Sequence, residues 1–361
     1  MNEHNEKSDL ALLGALCFFL AALDHVIPKP LPFMRVGLAN FPLLLALGFF
    51  SLKSFILLVF IKVIGQALIT GTLFSYVIFF SLTGTFLSAV TMVMLHRRAS
   101  LLGTSIAGAF VSNAAQLFLA RFIFFGNGIL YLAPPFLIAG IISGGLLGLF
   151  AMNFTAKSEW LKWKKENEKA DICPTELPSC DTINGAYAAS HNVNTALNVL
   201  RAGLAVMAVF FLFVPRLPFR AALFLLFWLM AIFAKRKTRP LFTMLSIVTI
   251  TCCNLFPPFG KILLSIGPFI IAEGSLLLGL QRAITMSGLI MLSRLALPSI
   301  PRLPGKTGVL LQECFVILEK MNDVFFSGDK ENGRLKNKKI AGGLVKKLDR
   351  LLCEVSGVKT H

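Results

Sequence analysis

The sequence predicts an all-α polytopic membrane protein, and three observations support this class. Hydrophobic residues make up 56% of the 361 residues and charged residues 15%, whereas soluble domains are about 45–50% apolar and about 25% charged. The apolar residues fall in runs of about 20, the length that an α-helix needs to cross a bilayer. Short polar, Gly- or Pro-containing stretches separate these runs, which is typical of loops between spans.

The first apolar run begins close to the N-terminus and is predicted to be a retained helix. The residues before it, MNEHNEKSD, are acidic rather than basic, and no small-residue cleavage site follows, so the run does not match a signal peptide. The apolar runs of the first half predict six spans, at 10–27, 34–52, 54–70, 73–95, 101–125 and 129–152.

The second half divides into three parts. Residues 154–198 are charged and poor in large aliphatic side chains, which predicts a cytoplasmic linker after an N-terminal membrane domain at 1–153. A second membrane block at 199–299 follows, and a cytoplasmic amphipathic, basic tail covers 300–361. The spans predicted for the second block are 199–214, 217–234, 239–258 and 264–296, the last as one long helix.

The distribution of basic residues predicts the orientation. With the N-terminus inside, Lys53, Arg97, Arg98, the lysines at 157–169 and the basic tail all face the cytoplasm, as the positive-inside rule requires. The formal net charge of +17 is then explained by anionic lipid headgroups, and no nucleic-acid partner is expected. The predicted location is the cytoplasmic (inner) membrane, with both termini in the cytoplasm.

Polar side chains inside the first block predict a binding site. A charged residue at the centre of a span costs about 2.5–3.5 kcal/mol on insertion scales, so each one suggests a function. Three cations with several amides and almost no acid predict a pocket for an anionic or strongly polar solute. The candidate residues are Arg35, Gly37, Asn40, Lys62, Gln66, Asn113, Gln116 and Arg121.

The spacing of the candidate residues places some of them on a shared helix face, and some of them could join helices instead of binding a solute. Lys62 and Gln66 are four residues apart, and Asn113 and Gln116 are three apart, so each pair shares a helix face. Amides also join helices by interhelical hydrogen bonds, and that role is favoured for Asn113. Binding is favoured for Lys62, which lies mid-span with no acid in its block to neutralise it. Arg121 fits either binding or extension to the outer interface.

The segment before span 2 is the predicted mouth of this site. Its prolines, at 28, 30 and 32, lack an N–H and fix φ, which predicts an extended external loop. Arg35 and Asn40 then place a charge and an amide at shallow depth, and Gly37 permits close approach of a helix or ligand. Asp24, at the outer end of span 1, is interpreted as a cap or as a partner of a nearby cation.

The second block contains one acid, Glu273. Arg282 lies nine residues later on the same predicted helix, too far for a direct intrahelical pair. Arg201, on the first span of the block, is the expected partner of Glu273. A structural or coupling role is predicted for these three residues.

The motifs of common catalytic sites are missing from the sequence. Gly305, Lys306 and Thr307 look like the end of a phosphate loop, but the pattern requires glycine where Ile300 stands. No Asp-rich run is present to hold magnesium for prenyl diphosphate chemistry, and the seven cysteines form no CxxC pair. We therefore expect no enzymatic activity, no metal and no cofactor bound by the chain itself.

Several motifs of the first block resemble one membrane family. In order, they are PLPFMRVGLANFPLLLAL, KVIGQALITGTLFS, SLTGTFLSAVTMVML, GTSIAGAFVSNAAQLFLARFIF and PPFLIAGIISGGLLGLFA. They resemble the heptaprenyl diphosphate synthase component I family, also called the Gx transporter family, over residues 10–153. That family is similar to the substrate-binding (S) subunits of energy-coupling factor transporters, six-helix proteins that hold a vitamin or similar solute near the outer face. Arg35 stands where the family usually has lysine and Lys62 where it has arginine, which keeps the charge and changes its geometry.

The second block resembles the transmembrane (T) subunit of the same transporters more loosely, mainly in IIAEGSLLLGLQRAITMSGLIMLSRL. In that family, long helices grip two ATPase subunits through Ala-Arg-Gly/Ser motifs. The tail here has no such motif and offers instead the amphipathic segment PGKTGVLLQECFVILEKMNDVF.

The resemblance and the polar residues together support a main hypothesis and two alternatives. The main one is an S-like module fused to a T-like module, which imports a small polar or anionic solute with separate ATP-binding-cassette ATPase subunits that use ATP. The first alternative follows the family name: a membrane accessory component of prenyl diphosphate or quinone metabolism. The second is a membrane protein whose tail recruits a partner.

Overall fold

The computed structural model describes residues 3–26, 37–167, 216–233, 240–256, 258–266, 269–296, 306–331 and 340–356, together with four single positions between 203 and 211. Within these residues the fold is helical apart from one β-hairpin, and six helices are long and apolar enough to cross a membrane. This confirms the predicted class of all-α polytopic membrane protein. Most of the predicted linker at 154–198 lies outside the described residues, and so does span 199–214 apart from the four single positions.

Seven helices form the N-terminal block. They are α1 (Glu3–Val26), α2 (Phe41–Ala46), α3 (Leu52–Thr70), α4 (Val77–Leu95), α5 (Leu101–Ala120), α6 (Ala133–Lys157) and α7 (Glu159–Asn167). Serine caps begin two of them, because the Ser51 and Ser100 side chains accept hydrogen bonds from the Ser54 and Gly103 N–H groups. Helix α3 ends at Gly71, whose φ of 69° suits glycine.

The predicted span at 34–52 is not a continuous helix. Its described part consists of a 3₁₀ turn, Leu38–Asn40, and the six-residue α2, which is only about 9 Å long. Pro42 favours a helix start here, whereas Gly37, at φ 88°, belongs to a left-handed turn. All six residues of α2 are buried, so α2 is a core element rather than a lipid-facing span.

Helices α1 and α3 pack side by side and run in the same direction. A Cβ on Gly14 would lie 3.3 Å from Ile61, and one turn later a Cβ on Gly65 would lie 1.9 Å from the Phe18 ring. The Ser51 hydroxyl donates to the Glu6 carboxylate at 3.1 Å, beside the N-terminal end of α1. The described part of the connection, residues 37–51, therefore runs beside α1 and ends near the N-terminal end of that helix.

The second block differs from its predicted layout at residues 264–272. Helices α8 (Leu217–Phe233) and α9 (Pro240–Asn254) are followed by a β-hairpin, β1 (Ile262–Ile266) and β2 (Phe269–Ala272), and then by α10 (Glu273–Ala296). The prediction of one helix over 264–296 is therefore wrong. The reason is local, since β-branched isoleucines favour strands and Gly260 adopts φ 92° next to Gly274.

Contacts between the two blocks include the C-terminal end of α10. The Phe74 N–H donates to Ser293 Oγ at 3.0 Å, and a Cβ on Gly71 would lie 2.6 Å from Arg294 Cγ. The positive-inside count puts the loop at 71–76 outside and the end of α10 inside. These contacts bring the two together, so the predicted orientation of α10 does not fit the structure.

The tail contains two helices that pack on the N-terminal block, α11 (Lys306–Glu331) and α12 (Ile340–Val355). Helix α11 contacts the middle of α1, where Phe315 meets Phe18 with ring centroids 5.1 Å apart. Cys314 and Met321, on the same face of α11, are fully buried. Helix α11 therefore packs against a candidate span, while α11 itself is not among the described helices that are long and apolar enough to cross a membrane. The cytoplasmic location of the tail stays a prediction.

Helix α12 packs at the end of the block where α1 begins. Asp349 accepts hydrogen bonds from the Ser158 hydroxyl and from the Glu159 and Trp160 N–H groups, the latter two at 2.9 and 3.3 Å. A carboxylate at the N-terminus of α7 satisfies donors that have no partner within the helix. Nearby, Lys164 forms an ion pair with Asp9 at 2.7 Å. The start of α1, α7 and α12 therefore form one end of the molecule.

Candidate functional site

A polar cavity lies inside the N-terminal block, between α1, the 3₁₀ turn, α3, α4, α5 and α6. Its volume, measured as the space open to the centre of a water-sized sphere, is about 40 Å³. Residues separated by more than 100 positions in the chain meet in its wall. Six of the eight predicted binding residues line it: Gly37, Asn40, Lys62, Gln66, Asn113 and Gln116.

Lys62 is the cation of this wall among the described residues, and only 3% of it is exposed. Its ammonium group donates a hydrogen bond to Oδ1 of Asn40. Helix α3 supplies the lysine, and the 3₁₀ turn after Gly37 supplies the amide. The contact holds a buried charge at a defined place in the cavity, where it can interact with a ligand.

Asn113 joins two helices as well as lining the cavity. Its Nδ2 donates to the Phe136 carbonyl at 3.0 Å, and a Cβ on Gly140 would lie 2.3 Å from the same nitrogen. This is the interhelical role that the sequence favours for Asn113. Gly140 is required because any side chain there would displace the amide.

Within the described part of the site, the side-chain oxygen of the buried amide Gln116 has no hydrogen-bond partner. The residue is 4% exposed, its Nε2 donates to Ser112 Oγ at 3.4 Å, and its Oε1 accepts no hydrogen bond. Gly84 on α4 gives it room, since a Cβ there would lie 2.8 Å from Nε2. An unsatisfied buried acceptor at a cavity wall is a binding group for a donor.

Residues that sequence reasoning did not select complete the wall. Five hydroxyl side chains line it, and so does Asp24 at the end of α1, which is 2% exposed. The expectation of a site with almost no acid, and of no acid to neutralise Lys62, therefore needs correction. The sequence did contain a signal for these hydroxyls, because Ser81 and Thr85 are four residues apart and therefore share one face of α4. The hydroxyls belong to Ser81, Thr85, Ser105, Ser112 and Ser143.

Two predicted binding residues are not in the described wall. Arg121 is exposed and begins a π-helical turn, Arg121–Phe125, after α5. Its position fits the alternative of extension to the interface. Arg35 and the prolines at 28–32 lie outside the described residues, so the predicted mouth of the site remains a prediction.

The polar residues of the second block have other contacts. Glu273 is exposed and is the first residue of α10, where a carboxylate favours the helix dipole. Arg282 donates to Asn254 Oδ1 of α9 at 2.7 Å. The Asn254 side chain that accepts this hydrogen bond is buried, with 5% of the residue exposed. Arg201 lies outside the described residues, so its predicted pairing with Glu273 remains a prediction.

Comparison with known proteins assigns the two blocks separately. Residues 197–299 match a family described as a domain of unknown function, DUF8519. No curated protein and no solved structure matches the chain. Residues 13–154, which contain the whole described cavity, match the family described as heptaprenyl diphosphate synthase component I. The N-terminal block is therefore similar to the heptaprenyl diphosphate synthase component I family, over less than half of the 361 residues of the chain.

Proposed function

We propose that this chain is the solute-binding and energy-coupling membrane component of an importer of the energy-coupling factor type. The observation that carries the proposal is the cavity of the N-terminal block. It is enclosed by candidate spans and lined by amides, hydroxyls, Lys62 and Asp24. Polar groups are expensive within a bilayer, so a cavity built from them indicates a solute site.

The contacts of the C-terminal half support the coupling part of the proposal. Helix α10 contacts the loop after α3 through Ser293, and α11 packs on α1. Helices α1 and α3 both contribute residues to the cavity wall. A displacement of the C-terminal half, driven by separate ATPase subunits, would therefore act on helices that hold the solute.

Co-purification tests the partner. The full chain, extracted from its own membrane in mild detergent, is expected to bring down a pair of ATP-binding-cassette ATPases, identified by mass spectrometry. Failure to recover any ATPase of the genome, both by co-purification and by pairwise co-expression, would contradict the importer proposal.

Lys62 tests the solute site. We expect Lys62→Met to retain the packing of the long side chain but to lose the charge and the contact with Asn40. The small molecule recovered from purified wild-type protein by extraction and mass spectrometry should be absent from this variant. Lys53→Met is the matched control, since Lys53 is exposed at the start of the same helix. Equal recovery of the small molecule from the Lys62 and Lys53 variants would show that Lys62 does not contribute to solute binding.

The family description favours a second candidate function, a membrane component of prenyl diphosphate synthesis. Prenyl transfer by the purified chain with magnesium, alone or with a soluble synthase subunit, would establish it. A prenyl diphosphate is a polyanion, so the chemistry of the cavity bears directly on this alternative.

A further inference from the structure

The amide of Gln116 points to the chemistry of the solute. Gln116 lines the cavity and is almost fully buried, yet its Oε1 accepts no hydrogen bond. A buried acceptor without a partner destabilises the fold, and native proteins keep few of them. Ser112 does not satisfy this oxygen, because its hydroxyl contacts the nitrogen of the same amide. A ligand that donates a hydrogen bond would satisfy this oxygen.

The charge of the wall restricts the ligand further. Within the described residues, the wall contains one lysine, Lys62, and one aspartate, Asp24. The other groups are amides, hydroxyls, glycines and apolar side chains, which include Met92 and Leu147. A phosphate ester carries about −1.5 to −2 charge at neutral pH, and it would meet an aspartate as well as a lysine in this buried space. Charges of opposite sign in one wall suit a neutral or zwitterionic molecule better than a polyanion.

We propose that the cavity takes a small hydrogen-bonding solute without net charge, and that the Gln116 amide is one of its contacts. This inference rests on the proposed solute-binding function and narrows its solute from polar or anionic to net-neutral. It also separates the importer from the prenyl diphosphate alternative, whose ligand would be strongly anionic.

Thermal unfolding of the full purified chain in detergent tests the inference. The probes are inorganic phosphate and inorganic diphosphate for the anionic class, and uracil, nicotinamide and serine for the net-neutral class. We expect at least one net-neutral probe, and neither anion, to raise the unfolding midpoint of the wild type. Gln116→Met keeps the length of the side chain but removes the acceptor, and it should weaken the apparent Kd for that probe about three- to tenfold.

The protein without probe gives an independent measurement. Since the Gln116 oxygen has no partner, Gln116→Met should leave the unfolding midpoint unchanged or raise it. The matched control is Gln312→Met, because Gln312 is partly buried on α11, away from the cavity. This control should bind the probe as the wild type does.

Two results would overturn the inference, and they differ in what they leave standing. Stabilisation by inorganic diphosphate and by no net-neutral probe would show that the solute class is wrong, while the solute-binding function would stand. No shift with any probe, together with a lower midpoint for Gln116→Met, would show that Gln116 is structural. That second result would also remove the main support for the proposed function.

Discussion

At the residue scale, the position of the cavity lysine depends on a glycine in the same helix. Gly65 lies between Lys62 and Gln66 on α3, and the Phe18 ring of α1 packs directly on it. A Cβ at position 65 would lie within 2.0 Å of two ring atoms. Phe18 is fully buried, and its ring also contacts the Phe315 ring in a tilted arrangement, so the Phe18 ring has no free space into which it could move.

Gly65→Ala is therefore expected to destabilise the protein. The better helix propensity of alanine favours the variant by about 1 kcal/mol, but overpacking in a well-packed core costs about 1–3 kcal/mol. The expected net effect is a lower thermal unfolding midpoint and weaker solute binding, because α3 must move away from α1.

Gly145→Ala is the matched control for this variant. A Cβ at position 145, inside α6, would meet only Ile106 at 3.9–4.0 Å, which is ordinary contact. Only the gain in helix propensity should remain, so this variant should be neutral or more stable by up to about 1 kcal/mol. Equal midpoints for the two alanine variants would show that the α1–α3 contact is looser than described.

At the element scale, the two tail helices hold the N-terminal block at different places. Helix α11 covers α1, which in turn packs on α3. Helix α12 is attached at the start of α7 through one carboxylate, Asp349. The apolar face of α12 is buried, including Leu352 and Cys353. Docking of α12 can therefore be followed through the reactivity of Cys353.

Asp349→Ala is expected to release α12 and to expose Cys353. Burial, with a further contribution from the Asp349 carboxylate, raises the pKa of the Cys353 thiol to about 11, so the thiol is almost entirely protonated at pH 8. Removing Asp349 eliminates both effects, and since the thiolate is the reactive form, maleimide labelling of Cys353 should become several-fold faster. Peptide-level mass spectrometry separates Cys353 from the other cysteines.

Two controls make this labelling result specific. Glu354→Gln changes an exposed carboxylate on the same helix and should leave the labelling rate unchanged. Raising the pH within the range that maleimide tolerates should accelerate labelling in the wild type, because the thiolate fraction increases as the pH approaches the pKa. Slow labelling of Asp349→Ala at pH 8 would show that the apolar face alone holds α12.

The second block shows how local sequence signals can mislead at this scale. Residues 264–296 form one continuous apolar stretch in the sequence, because an apolar strand and an apolar helix have similar composition. The structure divides them at Glu273. Likewise, the run at 34–52 has the length of a span, but its glycines and proline divide it into a turn and a six-residue helix.

At the scale of the whole molecule, the contact between α10 and the α3–α4 loop is the most informative feature. The positive-inside count separates these two segments by the thickness of the membrane, about 30 Å. The structure brings them within hydrogen-bonding distance through Phe74 and Ser293. Only one of these arrangements can hold in the assembled protein.

A disulfide cross-link distinguishes the two arrangements. The double variant Phe74→Cys with Ser293→Cys is expected to cross-link under mild oxidation in native membranes, detected by a mass-spectrometric dipeptide. The control pair is Lys53→Cys with Ser293→Cys, since Lys53 is at the opposite end of α3, about 27 Å away. A cross-link in the control pair alone would favour the orientation from the basic residues and contradict the structure.

Local sequence decided the properties that depend on neighbouring residues. Composition and run length identified the membrane class and most of the spans, because a helix in lipid must satisfy its own backbone and be apolar over about 20 residues. Spacing of three and four residues identified faces such as Lys62 with Gln66. These properties repeat within a few turns of helix, so they are visible in a single sequence.

Tertiary structure alone decided which faces meet. The partner of Lys62 is Asn40, 22 residues away, and the cavity adds Asp24 and hydroxyls from three helices to the predicted amides. The return of α11 onto α1 joins Phe18 to Phe315, almost 300 residues later. In lipid, helix pairing is selected by close packing and interhelical hydrogen bonds rather than by hydrophobicity. Apolar patterning therefore specifies the helices of this protein, and the shapes around its glycines and amides specify how they assemble into a cavity.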